Sequence, residues 1–194
     1  FARNPRFKGI RTGLWGVDPA AAGSAFIPDL RALADRGLAL DIGQGVPHME
    51  TAARLAAAVP ALRIVVNHFG GPKIADGAPD PRWLAAVRGA AAHPNVVMKL
   101  SGLVEGTGRR GGDAPSALDP YRPFFEAVWN AFGPDRLVFG SNWPVSARFA
   151  PYARVLDLAR AFLGERGPAA LAAGLRTNAM RTYQIGRASC RERV

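Results

Sequence analysis

Short apolar runs alternate along the chain with longer segments in which apolar residues recur every three or four positions. The short runs are mostly continuous in hydrophobicity, which is typical of strands that are covered on both faces of a parallel sheet. The pattern predicts strands over residues 7–12, 38–44, 63–68, 95–101 and 136–139.

The segments between these runs carry helix start and stop signals. Asp80 and Asp119 are each followed by proline, which pairs an N-cap residue with the residue favoured at the first helical position. Gly37 and Gly133 stand where two of the helices should end. The sequence therefore predicts an α/β fold of five βα units in series. The predicted helices cover residues 27–36, 49–58, a segment from 80, 119–133, 151–163 and 168–183.

The charge distribution argues against nucleic-acid binding, although the 194 residues carry a formal net charge of +10. Three basic residues are lysines, and the arginines are scattered along Ala-rich helices without a basic patch interleaved with aromatic residues. No apolar run of about 18 residues and no signal-peptide pattern occurs, so no membrane partner is expected. The single cysteine, Cys190, excludes a disulfide framework and favours a cytoplasmic protein.

The last ten residues, IGRASCRERV, break the pattern abruptly. They contain three arginines and the cysteine but no usable apolar periodicity. Because the string resembles the translation of a sequencing adapter, we assign residues 1–184 to one domain and 185–194 to a non-native tail. The alternative is a disordered basic tail. Since the chain begins with Phe1 rather than Met, we expect it to be a piece of a longer product.

Polar residues stand at the ends of two predicted strands, where parallel sheets carry their chemistry. Asn142 follows the run 136–139 through a Gly-Ser pair, and small residues there leave the backbone open to a ligand. His68 precedes two glycines at 70 and 71, and its imidazole can ligate a metal, donate to a carbonyl oxygen or shuttle a proton. Both are catalytic candidates. The alternative for His68 is a strand-end histidine satisfied by backbone carbonyls.

Four further side chains are candidates for binding a substrate. Lys99 and Ser101 share one face of a predicted strand, and a lysine within an apolar strand needs a polar cavity or a partner. Two interpretations of Lys99 stay open: a contact to an anionic substrate, or a structural pair with Asp41. Arg11 and Gln44 stand at the ends of the first two strands, and Arg11 is suited either to grip a carboxylate or to form a structural pair.

The segment 106–111, GTGRRG, formally matches the G-x-G-x-x-G pattern of dinucleotide sites. That chemistry needs a helix to begin inside the motif, whereas Pro115 and further loop residues precede the next helix start. A mobile active-site loop with anion-seeking arginines is therefore favoured, and Arg109 joins the candidate substrate contacts.

Four segments, VVNHFGGP, NVVMKLSGL, FGPDRLVFGSNWPV and RTNAMRTY, resemble in order and spacing the amidohydrolase-related (amidohydrolase 2) family. The resemblance implies a (β/α)8 barrel and the chemistry of lactonases or metal-dependent decarboxylases. It identifies the five predicted strands as the fourth to eighth of that barrel. The first three units, with the His-x-His pair that usually opens the metal or substrate site, are then absent from this chain.

The resemblance also implies roles for individual residues. His68 matches the family's strand-six histidine, as a group that polarises the substrate or as a metal ligand, and Lys99 and Ser101 match its KLSG strand. Asn142 stands where the family commonly has an aspartate that ligates metal or serves as base for the attacking water. Asn142 is therefore expected to position the water, and the protein to be a weak hydrolase or to take its base from elsewhere.

The expected function is hydrolysis of a small anionic lactone or related cyclic ester. A divalent, zinc-like metal is compatible with the site but not required by the sequence. The alternatives are a decarboxylase of the same family and a non-catalytic barrel remnant that binds a small molecule or a partner. The oligomeric state is left open, and this chain is expected to be inactive on its own.

Overall fold

The computed structural model describes residues 4, 6–13, 23–74 and 78–186, and for 23–25 the backbone only. The predicted non-native tail falls almost entirely outside the described residues, which end at 186. The division of the chain at residue 184 therefore stays a prediction.

Five parallel strands form one sheet in the order β1-β2-β3-β4-β5, so each strand pairs with its neighbours along the chain. This sequential order requires a crossover between consecutive strands, and a helix supplies each one. The predicted series of five βα units is confirmed. The strands are β1 (Gly9–Thr12), β2 (Ala39–Ile42), β3 (Arg63–Val66), β4 (Val96–Leu100) and β5 (Leu137–Phe139).

One of the two predicted Asp-Pro start signals is confirmed and the other is wrong. Asp80 caps α3, since its carboxylate accepts the backbone N–H groups of Arg82 at 2.7 Å and Trp83 at 3.1 Å.

Asp119 does not cap α4, which begins at Arg122 without a side-chain cap. Because the Leu118 carbonyl accepts the N–H groups of Tyr121 and Arg122, a separate turn forms before the helix. Gly133, in the left-handed region, follows the end of α4. The helices are α1 (Gly23–Asp35), α2 (Val46–Ala58), α3 (Pro81–Ala91), α4 (Arg122–Phe132), α5 (Tyr152–Glu165), α6 (Pro168–Ala172) and α7 (Asn178–Tyr183).

Several helices differ from their predicted bounds, and α2 begins at Val46 instead of 49. Helix α1 begins at Gly23, before the predicted start at 27, because its first turn, Gly-Ser-Ala-Phe, opens with two small residues that give no periodic apolar signal. The predicted helix 168–183 is divided into α6 and α7 by a π-helical turn, Ala173–Thr177. Gly174 lies in this turn, and a Cβ there would lie 2.7 Å from Leu163 Cδ1, so the turn packs directly on α5.

One face of the sheet packs beneath the helices. It carries Leu40, Ile42, Ile64, Met98 and Leu100, each at most 2% exposed. Aromatic rings of the helices fill the other side of this layer. The ring centroids of Phe125 on α4 and Phe162 on α5 are 4.7 Å apart. Burying one such large apolar side chain contributes about 1.5–3 kcal/mol, so this layer is the main source of stability.

The opposite face, which we call the inner face, carries both charges and valines. Register places Arg11 beside Asp41 on it, and Lys99 beside Val138. Lys99 Nζ lies 2.5 Å from Asp41 Oδ2, and both side chains are less than a fifth exposed. Tyr183, at the end of α7, donates its hydroxyl to both Asp41 oxygens at 2.9 and 3.1 Å. Asp41, Lys99 and Tyr183 form what we call the inner network.

Tyr183 stays a donor in this network. Burial raises the pKa of the Tyr183 phenol, and the Asp41 charge and hydrogen bond raise it further. The inner network therefore fixes α7 to the sheet by a charge-assisted hydrogen bond.

No helix within residues 23–74 and 78–186 has the length and apolar character needed to cross a bilayer.

We expect Tyr183→Phe to lower the free energy of unfolding by about 1–2 kcal/mol, because it removes the hydroxyl that satisfies Asp41. Urea denaturation measures the loss. Tyr152→Phe is the matched control, since Tyr152 is 46% exposed and is engaged by a ring contact with Trp143. Equal stabilities of the two variants would contradict a structural role for the Tyr183 hydroxyl.

Candidate active site

The carboxyl ends of β3, β4 and β5 bring three polar loops to one edge of the sheet, which we call the rim. Parallel strands all end at the same edge, so side chains that are far apart in sequence meet there. Asn67 ties this edge to the neighbouring strand, since its amide donates to the Ile42 carbonyl at the end of β2 over 2.7 Å. The rim therefore has a fixed backbone.

A left-handed turn follows β3 and presents His68. Residues 68–71 all have positive φ, with His68 at 58° and Phe69 at 53°. This conformation costs about 1–2 kcal/mol for a residue with a side chain, so the surroundings must enforce it. Phe69 is anchored by an edge-on contact with Phe125 at 5.0 Å, and its carbonyl accepts the Trp83 indole N–H at 2.8 Å. Core packing thus holds the strained turn that carries His68.

Ser101 holds the His68 ring from the neighbouring strand end. Its Oγ lies 2.8 Å from His68 Nδ1, and both side chains are buried. Gly102 allows this approach, because a Cβ at that position would lie 2.6 Å from His68 Cβ. With Nδ1 engaged by Ser101, the other ring nitrogen, Nε2, is left for a ligand.

The environment of His68 favours the neutral imidazole. Burial, together with the positive charges of Arg11 and Lys99 and against an opposing effect of Asp41, lowers the pKa of His68 from 6.5 to about 4. The neutral ring is therefore the form present near pH 7. These charges also show that the inner network lies close to the rim.

Asn142 meets a carboxylate at the rim. Its Nδ2 donates to Glu105 Oε1 over 2.7 Å, which joins the loop after β5 to the turn Val104–Thr107 after β4. The second oxygen, Glu105 Oε2, is buried without a hydrogen-bond partner among the residues that the structure describes. The amide at position 142 is therefore next to an acidic group.

A pocket of about 460 Å³ opens at the rim and is lined by Gln44, Lys73, Gly102 and Glu105 among others. Its size suits a small molecule. A larger cavity of about 1130 Å³ lies over the outer helices α2 and α3. The smaller pocket is lined by Glu105 and by Gly102, which packs against His68, whereas the lining of the larger cavity includes neither residue. We therefore assign the chemistry to the smaller pocket.

The structure brings some of the predicted site residues into contact and leaves others apart. His68 and Ser101 are in contact, and Arg11 and Lys99 lie near enough to act on His68 by charge. Lys99 is paired with Asp41, as the structural interpretation of this lysine expected. Arg109 lies elsewhere on the rim: it is exposed, and its charge acts on Tyr121, whose pKa is raised by burial to about 12.

The match to a family model described as Amidohydrolase covers residues 2–185, nearly the whole chain. The chain belongs to the amidohydrolase family. This confirms the resemblance drawn from the four motifs.

Relatives extend the comparison. An L-fucono-1,5-lactonase from Burkholderia ambifaria is 35% identical over 202 residues, which cover 97% of this chain and 65% of that protein. A crystal structure of an amidohydrolase from Burkholderia multivorans with bound HEPES matches with a TM-score of 0.81 and 31% identity over 91% of this chain and 64% of its own. A second structure from that organism, with bound Zn, has a TM-score of 0.81 and 30% identity over 94% and 66% of the two chains.

These structural neighbours are (β/α)8 barrels of which this chain covers about 64%. The predicted partial barrel is confirmed. Because the chain spans less than two thirds of the lactonase, the residues that the structure describes form part of an amidohydrolase rim.

Amidohydrolases are typically metal-dependent, which raises the question of whether this rim fits a metal. Within the described part of the chain, no three His, Cys, Asp or Glu side chains lie close enough together to hold a metal ion. His68 Nε2 offers one ligand, and position 142 offers an amide instead of a carboxylate. These residues alone do not make a metal site, so no chemical step is assigned to a metal.

The sequence patterns do not single out Glu105 or Tyr183, and they indicate Asp41 only as a partner for Lys99. An acidic residue in the loop LSGLVEG was a signal for Glu105, but its contact with Asn142 depends on the shapes of two loops 37 residues apart.

The His68 imidazole should stay neutral on acidification until about pH 4. The unfolded chain takes up this proton near its ordinary pKa of 6.5, so the histidine's contribution to stability falls as pH drops from 6.5 to 4 and then levels off. An NMR titration of the ring in metal-free protein measures the pKa. A His68 signal that titrates near 6.5 would contradict the effect of burial and of the neighbouring charges.

Proposed function

We propose that the protein containing this chain hydrolyses the lactone of a sugar acid at the rim. The observation that carries the proposal is the buried, neutral His68, whose Nδ1 is engaged by Ser101 and whose other nitrogen is left for a ligand. The relative from Burkholderia ambifaria, an L-fucono-1,5-lactonase, supports this substrate class. The rim pocket, with a volume of about 460 Å³, is large enough for a sugar-acid lactone.

His68 acts as the electrophilic group in this proposal. The tautomer proposed for this role has the ring proton on Nε2, so that Nδ1 accepts a hydrogen bond from the Ser101 hydroxyl 2.8 Å away. The Nε2–H group then donates to the lactone carbonyl oxygen and stabilises the negative charge that develops there.

Substrate orientation falls to the polar groups around His68. Arg11 is the candidate partner for a carboxylate, either one on the substrate or the one released on ring opening. Gln44 lines the rim pocket and is placed to bind a sugar hydroxyl. Lys99 contributes mainly its charge, since its ammonium group is engaged by Asp41. The exposed Arg109 recruits an anionic substrate from solution.

The proposal leaves a place for a metal without depending on it. A zinc-like ion would bind His68 Nε2 only in the other tautomer, with the proton on Nδ1 donated to Ser101, and would then replace the Nε2–H group as the electrophile. Its other ligands would come from outside the described residues. The protein is proposed to work in the cytoplasm, in keeping with a sequence that has no cysteine among residues 1–184.

The test is hydrolysis of a panel of sugar-acid lactones by the full-length protein, followed by pH-stat titration of the acid released. We expect turnover of at least one aldonolactone above the spontaneous rate. His68→Ala should lower turnover about a hundredfold or more, the range for a lost acid–base or electrophilic group.

Ser101→Ala serves as the comparison, because it leaves the imidazole in place and removes only the group that orients it. Its loss should be smaller, on the order of tenfold. Circular dichroism verifies that both variants are folded. A folded His68→Ala protein with wild-type turnover would refute the assignment of His68, and an inactive wild-type protein would refute lactone hydrolysis.

A further inference from the structure

The hydrogen bond between Asn142 and Glu105 sets the geometry of the only acidic group seen at this part of the rim among the described residues. Asn142 Nδ2 lies 2.7 Å from Glu105 Oε1. An ionised carboxylate can only accept hydrogen bonds, so the amide must turn its N–H group towards Glu105. Asn142 has a left-handed backbone with φ of 54°, a conformation that asparagine tolerates better than most residues. The backbone therefore presents the amide to Glu105.

The second oxygen of Glu105 has unused hydrogen-bonding capacity. Oε2 is buried and has no partner in the described part of the chain. A buried carboxylate oxygen without a donor is unfavourable, so this atom is suited to accept a hydrogen bond from a molecule bound at the rim. Glu105 lines the rim pocket with Gly102, which packs directly against His68.

Neighbouring loops hold Glu105 in position. The Ile74 N–H donates to the Gly106 carbonyl at 2.8 Å, and a Cβ on Gly106 would lie 2.5 Å from the Pro72 carbonyl oxygen. The turn that carries Glu105 is thus packed closely against the loop after β3. A catalytic group needs such support, because small displacements of it are costly in rate.

We propose that Glu105 is the general base of the hydrolysis, and that Asn142 positions its carboxylate. This inference rests on the proposed lactone hydrolysis. Oε2 takes a proton from a water molecule while the water oxygen bonds to the lactone carbonyl carbon, and the carbonyl electron pair moves to the oxygen held by His68. When the carbonyl re-forms, the ring C–O bond breaks and Glu105 returns the proton to the departing ring oxygen. The product is an open-chain hydroxy acid, and Glu105 is ionised again.

The first test is the pH dependence of kcat for Glu105→Gln in the full-length protein, with the sugar-acid lactone that the wild-type protein turns over. We expect kcat to fall by about two to three powers of ten, with a much smaller change in KM and loss of the acidic limb of the pH–rate profile. The isosteric amide preserves shape but cannot take a proton. Glu50→Gln, on the exposed side of α2, is the matched control and should keep wild-type kinetics.

A double variant distinguishes loss of the general base from structural damage as the cause of a lower kcat in Glu105→Gln. Glu105→Gln combined with Asn142→Asp again pairs one amide with one carboxylate, with the two groups exchanged. We expect it to be at least about tenfold faster than Glu105→Gln alone, and to regain an acidic limb. Glu105→Gln with wild-type kcat, or a folded double variant no faster than the single one, would overturn the proposal while lactone hydrolysis stands. A wild-type protein that opens none of the lactones would overturn both.

Discussion

The burial of charge on the inner face of the sheet is the constraint on which the rest of the structure depends. Lys99 and Asp41 stand on strands that are two apart, and each would be costly alone in a surrounding of Val65, Val97 and Val138. Their contact at 2.5 Å, with the Tyr183 hydroxyl on the same carboxylate, resolves that cost. A buried ion pair of this kind adds little net stability, but removing one partner is strongly destabilising.

The charges on the inner face also determine the electrostatic environment of His68 at the rim. Lys99 is held by the network below His68, and Arg11 stands on the edge strand at the same level as Asp41. Their positive charges, with burial, keep the imidazole neutral at a point where the left-handed turn and Ser101 fix its direction. Structure and chemistry are therefore coupled through the period of two along the strands: alternate residues build the helix-covered core and the charged interior.

Much of the fold follows from local signals in the sequence. Largely apolar runs located the strands β2 to β5, and the Asp80-Pro81 pair located the start of α3, because these features reflect burial and capping of nearby backbone. The pair at 119 and 120 lies in a turn before α4 and did not locate its start. Exact ends were less predictable. Residues such as Gln44, placed in a strand by pattern, leave the sheet to form the rim.

The site was predictable only where strand position decides it. His68, Ser101 and Asn142 follow strand ends, so topology alone brings them to one edge. Glu105 and Tyr183 meet their partners through loop and terminal-helix packing over 37 and 142 residues, and no periodicity reports such contacts. Asn142 shows the consequence. The sequence alone suggests that a carboxylate has been lost at position 142, whereas in the structure the Glu105 carboxylate from another loop lies beside Asn142.

The most direct test of the rim as the active site is a crystal structure of the full-length protein with the hydroxy-acid product of its lactone substrate. We expect the product carboxylate to lie within hydrogen-bond distance of His68 Nε2, with the molecule in the pocket lined by Gln44 and Glu105. A product bound instead in the larger cavity over α2 and α3, with His68 out of reach, would contradict the central claim that the chemistry takes place at the rim.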